Sequence, residues 1–442
     1  MGQVFHEYEP NQSLLLPPSL DDWLPEDHLA RFVSDTVDTL DLRSLVKRYT
    51  KRKDGRGQLA YHPRLMLKIL FYSYAEGIFS SRKIAKGIEN LVALRFLAAG
   101  NLPSHRTIAR FRLENLKHFE RLFVEVVRIA TRSGLVKMGT LAIDGSKLKA
   151  NASKHKAMSY SRMKDEEKRL DKEVRRITDL AKGIDEAEDA EFGEDFRGDE
   201  LPEELRRRED RLAAIRKAKK ELEEEQAAED KAKGRGKPRA KSQRGPKIKR
   251  PNGVPKDTKQ ANFTDPDSRI MGDPKKGFQQ AYNGQISVDA EAQIIVAADI
   301  TQCAADVGQL VPMTEAAMKN TAKSPKVVLA DAGYKSEENF QAMEDLQVKA
   351  HVALGRGEKD PAKASKAGPS TARMQRRRQT KSSRKIYKRR KVIVEPVFGW
   401  IKSVLGFRSF SLRGVEKVTG EWNLVCLTLN LRRMSKQLEW SS

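Results

Sequence analysis

Asp144 and Asp331 each stand directly after an apolar run of strand character and directly before a small residue, in LAIDGS and VLADAG. Carboxylates at the carboxyl ends of neighbouring strands converge on one crevice, which is where open α/β sheets bind their ligands. Two such anions at close range repel unless one is protonated or a cation lies between them, so a hard divalent metal is the natural third party. Taken singly, a strand-ending aspartate more often caps the next turn; the matched context of the pair is what points to chemistry. A third carboxylate, Glu395 in VIVEPVFGWIKSVLGF, is expected to open an amphipathic helix, with Pro396 at the favoured first position and Phe398, Lys402 and Leu405 at helical steps from it. A glutamate at a helix start is often only a favourable dipole contact. This one follows a run of basic residues, which makes it a metal ligand beside a phosphate-binding track.

Other chemistries find little support. The seven histidines are scattered with no H-x-x-x-H pair, which disfavours a zinc hydrolase and leaves His105 and His155 as surface residues. Cys303 and Cys426 are far apart and without a C-x-x-C partner, so neither a disulfide framework nor a structural zinc site is available. GRGKPR and GRGEKD lack the strand and the GK[ST] ending of a phosphate loop. Asp289 and Asp299 flank an expected hairpin and read as turn residues, with Asp299 the better reserve ligand. Trp400 and Trp422 read as core, the alternative for Trp400 being a place at the border of whatever the phosphate-binding track holds.

Charge names the partner class. The net charge is +24 and the charged share is 33%, above the usual ~25%. Nearly all of the excess lies in two runs: 231–259, with twelve Lys and Arg against the single Asp257, and 373–391, with eleven and no acid. Solvated surfaces mix signs, so unbroken positive runs favour a phosphate backbone. The first run, rich in Gly and Pro, reads as an arm; the second lacks both and is expected to become helical on a polyanion. No apolar run approaches the ~18 residues of a membrane span, and MGQVFHEYEP has no leader-like apolar stretch.

The elements that must position these groups are legible in outline. From Asp27 to Arg132 the pattern is helical, with Pro63 near a helix start and Ser81 and Ser104 as N-caps. Within it SSRKIAKGI and SHRTIARFR read as two short helices around a loop holding Gly100 and Pro103, with Arg82, Lys83, Lys86, Arg106, Arg110 and Arg112 near their starts or on one side. Helix-turn-helix readers of the major groove have that arrangement, though helix pairs around turns are also ordinary. LAID reads as a buried strand ending at Asp144. GFQQAYNGQISVD and AQIIVAADIT form a hairpin, followed by a helix, the strand KVVLAD, a helix opening at Ser336, and a last strand VKAHVALG. That order describes an α/β mixed sheet flanked by helices. Between the first two strands lies a charged insertion whose two helical segments are expected to pair as a solvated antiparallel hairpin, because an a/d register is not sustained.

Several blocks together resemble the DDE transposases of bacterial insertion sequences. They are HPRLMLKILFYSYAEGIFSSRKI with TIARFR, IDGSKLKANAS, NFTDPDSRIMGD with GFQQAYNGQISVD, VVLADAGYKSEENF, and VEPVFGWIKSVLGFRSFSLRG with EWNLVCLTLNLRRM. The resemblance covers nearly all of the chain outside 160–255 and 356–385. It implies an RNase H-like core with an all-α N-terminal domain and a long helical insertion: residues 1–135 as the DNA-binding domain, 136–155 as the first part of the core, 156–275 as the insertion with its basic arm, and 276–442 as the rest of the core. It further implies Asp144, Asp331 and Glu395 as catalytic triad and ligands of two Mg²⁺ ions, with Mn²⁺ able to substitute. Lys402 becomes the DNA-contacting lysine, with Arg82, Arg106, Arg110, Arg389, Arg390 and Lys391 as further DNA contacts. The implied activity is cleavage of DNA at the element's ends and joining of the 3′-hydroxyls to target DNA by phosphoryl transfer, which needs no protein nucleophile. Implied partners are double-stranded terminal repeats and target DNA, engaged as a homodimer or higher oligomer in the bacterial cytoplasm on the nucleoid, with no membrane. The sequence departs from some relatives in one respect: Tyr387 stands one residue farther from the glutamate, and Lys391 occupies the arginine step. The alternatives are a metal-dependent nuclease of the same fold without strand transfer, and a non-catalytic helix-turn-helix protein derived from a transposase.

Overall fold

A computed structural model describes residues 19–50, 59–153, 156–192, 203–232, 250–273, 277–355 and 368–438. Its first part is helical: α1 (Leu29–Thr39), α2 (Arg43–Thr50), α3 (Pro63–Ala75), α4 (Ser81–Asn90), α5 (Val92–Leu97), α6 (His105–Glu114) and α7 (Leu116–Arg132). Pro63 takes the first position of α3, where its missing N–H is harmless. Ser104 caps α6, its Oγ accepting from Thr107 N–H at 3.2 Å. Ser81 does not cap α4; the cap position is Ser80, and Ser81 lies in the first turn on the buried face with Ile84 and Ile88. The stretch read as a loop holds α5, whose Ala93, Leu94 and Leu97 are buried, so α4 and α6 are not joined by a turn alone. Arg82, Lys83, Lys86, Arg106 and Arg110 are exposed. Arg112 is not a surface cation: it is buried and donates to Tyr74 Oη at 2.8 Å and to Phe79 O at 3.0 Å.

The sheet holds β1 (Thr140–Lys149), β4 (Arg269–Asp273), β5 (Gly277–Asp289), β6 (Ile295–Thr301), β7 (Val327–Ala330) and β8 (Lys349–Val352), in the order β4-β5-β1-β7-β8, with β6 pairing farther along β5. Between the strands run α10 (Leu310–Thr321), which separates β6 from β7, and α11 (Glu337–Asp345), opened by Ser336 and separating β7 from β8. The architecture is mixed α/β, as the element order implies. Strand β1 does not stop at Asp144. It pairs antiparallel with β5 from Leu141↔Asp289 to Lys149↔Ala281, whereas β7 pairs with it in parallel only up to Ala142↔Leu329. Leu141, Ala142 and Ile143 are fully buried, as expected where both sheet faces are covered; beyond them one neighbour is lost and a crevice opens. Arg269–Asp273, inside the segment read as insertion, is an edge strand of this sheet.

The remaining insertion contains β2 (Ala157–Ser159), α8 (Tyr160–Phe192), α9 (Glu203–Ala232) and β3 (Gln260–Asn262). The two helices run antiparallel, as the ladder Glu173 to Arg208, Glu167 to Arg216 and Tyr160 to Glu223 shows. Met163, Leu170, Leu212, Ile215 and Leu222 give the pair a small core of its own. The basic arm from 233 to 249 and His155 lie outside the described residues. Among the described residues no helix is long and apolar enough to cross a membrane.

The C-terminal part comprises α12 (Pro369–Gln379), α13 (Lys381–Gly399), a π-helical turn (Trp400–Val404) and α14 (Val415–Gln437). The basic run 373–391 is therefore helical in the protein alone. Thr380 caps α13, its Oγ1 accepting from Ser383 N–H at 3.1 Å. Glu395 and Pro396 do not open a helix; they lie inside α13. The proline removes the N–H that would bond the Val392 carbonyl. That carbonyl accepts instead from Gln293 Nε2 at 2.8 Å, and Gln293 Oε1 accepts from Arg433 at 2.6 Å. Helix α14 is buried all round from Gly420 to Leu431, with the polar Glu421, Asn423, Thr428 and Asn430 enclosed beside Trp422, Val425, Leu427 and Leu431, as in an interior helix. Asn430 pairs with both the N–H and the C=O of Ile295, each at 2.8 Å, and so covers the start of β6.

Candidate active site

Asp144 and Asp331 lie on adjacent parallel strands at the same level. Each stands two residues past the last paired position, Ala142↔Leu329. Asp144 Oδ1 accepts from Gly145 N–H at 3.0 Å, and its Oδ2 takes the Arg390 guanidinium at 3.1 Å. Burial pushes the Asp144 carboxyl up to about 6; Arg390 pulls it down and the charge of Asp331 pushes it up further. Asp331 opens a short 3₁₀ turn, Ala332–Tyr334, and its Oδ1 accepts from Gly333 N–H at 2.7 Å.

Helix α13 delivers the cations to this crevice. Arg390 donates to the Tyr387 hydroxyl, and the Tyr387 ring centre lies 3.8 Å from the Arg378 guanidinium. Tyr387 and Arg390 therefore lie beside the aspartate pair, and Arg390 rather than Lys391 meets the carboxylate. Lys402, in the π-helical turn, hydrogen-bonds Ser146 Oγ and lies 5.9 Å from the Phe398 ring centre. Alternation along β1 puts Asp144 and Ser146 on one face, so Arg390 and Lys402 contact successive residues of that face. Lys381, Arg384, Lys385, Lys388, Arg389 and Lys391 are exposed along α13, and Glu395 is exposed beyond them.

Other residues fall away from the site. Asp289 is a turn residue, accepting from Met138 N–H at 2.8 Å and Glu291 N–H at 3.0 Å. Asp299 lies within β6 rather than on the turn; it accepts from Ile300 N–H at 2.7 Å and its charged neighbour is Glu120, not the aspartate pair. Trp422 is core; Trp400 is flanked by Arg432 and Lys436 at 5.3 and 5.7 Å. Glu416 pairs with Lys117 at 2.9 Å, and Glu421 is buried under Ser411 and Leu412. Sequence reasoning missed Asp306. Its Oδ1 accepts from Asn283 at 2.6 Å and Gln285 at 2.8 Å, and Lys147 lies 3.3 Å from Oδ2. The available signal was the alternation of polar side chains at 283, 285 and 287 with Tyr282, Ile286 and Val288, which marks a lined, polar face.

Two half-buried carboxylates at one level of adjacent strands suit a hard divalent cation, and Mg²⁺ characteristically takes one or two carboxylates together with phosphate oxygens. The expected third ligand does not complete the set: among the described residues no three Asp, Glu, His or Cys side chains are grouped so as to hold a metal ion. Arg390 supplies the positive charge between the strands instead.

A pair of carboxylates at the strand ends of a mixed sheet, flanked by a cationic helix, is an arrangement suited to phosphate esters. Residues 254–431 match the family model described as Transposase DDE domain, and residues 18–114 match the one described as Transposase domain (DUF772). The chain belongs to the DDE transposases of insertion sequences. Asp331 and Glu395 fall within the first match, whereas Asp144 precedes it, across the insertion. No curated protein and no solved structure matches the chain.

Proposed function

We infer that the protein cuts DNA at the ends of its element and joins the freed 3′-hydroxyls to target DNA. The observation that carries this reading is the level placement of Asp144 and Asp331 past the end of the β1–β7 pairing, with Arg390 bound to Asp144 and the cationic face of α13 alongside. Asp144 and Asp331 would hold the divalent cation, Mg²⁺ or Mn²⁺; Glu395, which is not grouped with them in this structure, would join them as third carboxylate of a two-ion site only when metal and DNA bind. Bound there, such ions neutralise charge on the phosphate and lower the pKa of the attacking water or 3′-hydroxyl.

The chain's own groups do the rest. Lys385, Lys388, Arg389 and Lys391 bind the phosphate backbone and bring it along α13. Arg390 and Lys402 orient the scissile phosphate, their side chains lying over the face of β1 that carries Asp144 and Ser146. Arg82, Arg106 and Arg110, exposed on α4 and α6, contact the element's terminal repeats. Two ends have to be held together for joining, so two or more copies act on one DNA complex. The test is incubation of purified protein and Mg²⁺ with a plasmid carrying the element and its flanks, followed by sequencing of the products. Joined 3′ ends support transposition; cleavage without joining leaves a nuclease.

A further inference from the structure

Asp306 lies outside the triad but beside its two aspartates. It follows β6, precedes α10, and projects onto the face of β1 opposite Asp144. There Gly145 and Gly333 leave it room. A Cβ on Gly145 would stand 2.1 Å from Gln285 Nε2 and 2.7 Å from Asp306 Oδ1; one on Gly333 would stand 3.3 Å from Asp306 Oδ2 and 3.0 Å from Asp331 Oδ1. The Asp306 carboxylate thus presses against the backbone beside both aspartates of the crevice.

A relay leads from it to Asp331. Asp306 Oδ1 accepts from Gln285 Nε2 at 2.8 Å, and Gln285 Oε1 accepts from the Tyr334 hydroxyl. Tyr334 ends the 3₁₀ turn that Asp331 opens. Gln285, Asn283 and Tyr334 are each fully buried. Burial together with the charges of Asp306, Asp144 and Asp331 raises the Tyr334 phenol, so it stays a donor. Asn339 ties the same two segments, donating to Tyr334 O at 2.8 Å and to Val307 O at 2.5 Å. With donors from Asn283, Gln285 and Lys147, Asp306 is already occupied as an acceptor, which suits an anchor rather than a ligand.

We propose that Asp306 is a positioning residue: through Gln285 and Tyr334 it holds the Asp331 turn against β1, so that Asp331 and Asp144 face a common cation. This rests on the reading of Asp144 and Asp331 as the cation-holding pair. Outer residues that orient ligands typically change metal affinity or activity by about 10–100-fold when altered.

The full chain is titrated with Mn²⁺ alone, followed by electron paramagnetic resonance, and assayed for cleavage of a plasmid carrying the element. Asp306→Asn keeps size and removes the charge; Tyr334→Phe removes one oxygen and leaves packing intact, which preserves the test if the first variant fails to fold. Each is expected to weaken Mn²⁺ binding about tenfold or more and to lower kcat, with the KM for DNA within about twofold of the parent. The double variant should be no worse than Asp306→Asn, because both act through one relay. Parental Mn²⁺ affinity in folded Tyr334→Phe, or losses that multiply in the double variant, would overturn the proposal. Asp331→Asn serves as the reference: if it binds Mn²⁺ like the parent, the reading of the aspartate pair fails, not the relay.

Discussion

Arg390 donates to Asp144 across 3.1 Å, from the middle of a helix to the middle of a strand 246 positions away in sequence. The pairing has two consequences. It offsets part of the upward push that burial gives the Asp144 carboxyl, and it sets a side-chain cation beside a carboxylate that a metal ion would use. Replacing Arg390 by Ala should therefore raise Mn²⁺ affinity several-fold at pH 8, where Asp144 is ionised, while DNA cleavage falls because the phosphate loses its guanidinium. A Mn²⁺ titration followed by paramagnetic resonance reads the first effect; weaker binding in the variant would show that Arg390 supports the cation site rather than competing for it.

The outward cations of α13 make a salt-dependent prediction. Changing Lys385, Lys388, Arg389 and Lys391 to Gln should reduce the slope of log K against log salt on duplex DNA by about 0.9 for each phosphate that is no longer neutralised. Fluorescence anisotropy across a salt series measures it. An unchanged slope would assign the backbone binding to other residues.

His351 fixes α13 to the sheet by a 2.7 Å hydrogen bond between its Nδ1 and Ser383 Oγ. Burial holds its pKa down to about 4, assisted by the charges of Arg377, Arg378 and Lys349. The ordinary value is about 6.5, so between these limits the unfolded chain takes up a proton that the folded one refuses. Stability contributed by the neutral ring is complete above about pH 6.5 and is lost as pH falls toward 4, at about 1.4 kcal/mol per pH unit. Denaturant melts from pH 7 to pH 4 should show this loss, and His351→Gln should flatten it. A parallel pH dependence in both proteins would exclude His351 as the cause.

Glu395 is exposed on α13 and is read as the third carboxylate of the site. Glu395→Gln should fold and bind DNA like the parent but cleave it more slowly by orders of magnitude, since the change removes a charge and little else. Near-parental cleavage would mean that the aspartate pair suffices without it.

The aspartates were legible because their signal is local: an apolar strand, an acid, a small residue. Much of the sheet was legible for a similar reason, since β6 and β7 are short apolar runs, whereas the edge strand β4, RIMGD, carries no such run and was read as insertion. What the sequence concealed depends on partners distant along the chain. Strand β1 continues past Asp144 because β5 supplies hydrogen bonds as far as Lys149↔Ala281. Glu395 lies inside a helix because Gln293, on the β5–β6 turn, satisfies the carbonyl that Pro396 orphans. Asp306 has no strand before it that ends on an acid; only the polar face of β5 and the bare backbone of Gly145 give it a place. Arg112 shows the converse, a basic residue in a basic pattern that is buried because Tyr74 and Phe79 O accept from it.

The central claim is that Asp144 and Asp331 form the reaction centre, and it is tested most directly by Mg²⁺-dependent cleavage of a plasmid carrying the element, comparing Asp144→Asn and Asp331→Asn with the parent. Both variants keep the side-chain volume and the backbone acceptor positions. The account predicts that each retains DNA binding and loses cleavage by orders of magnitude; cleavage at near-parental rate by either would contradict it.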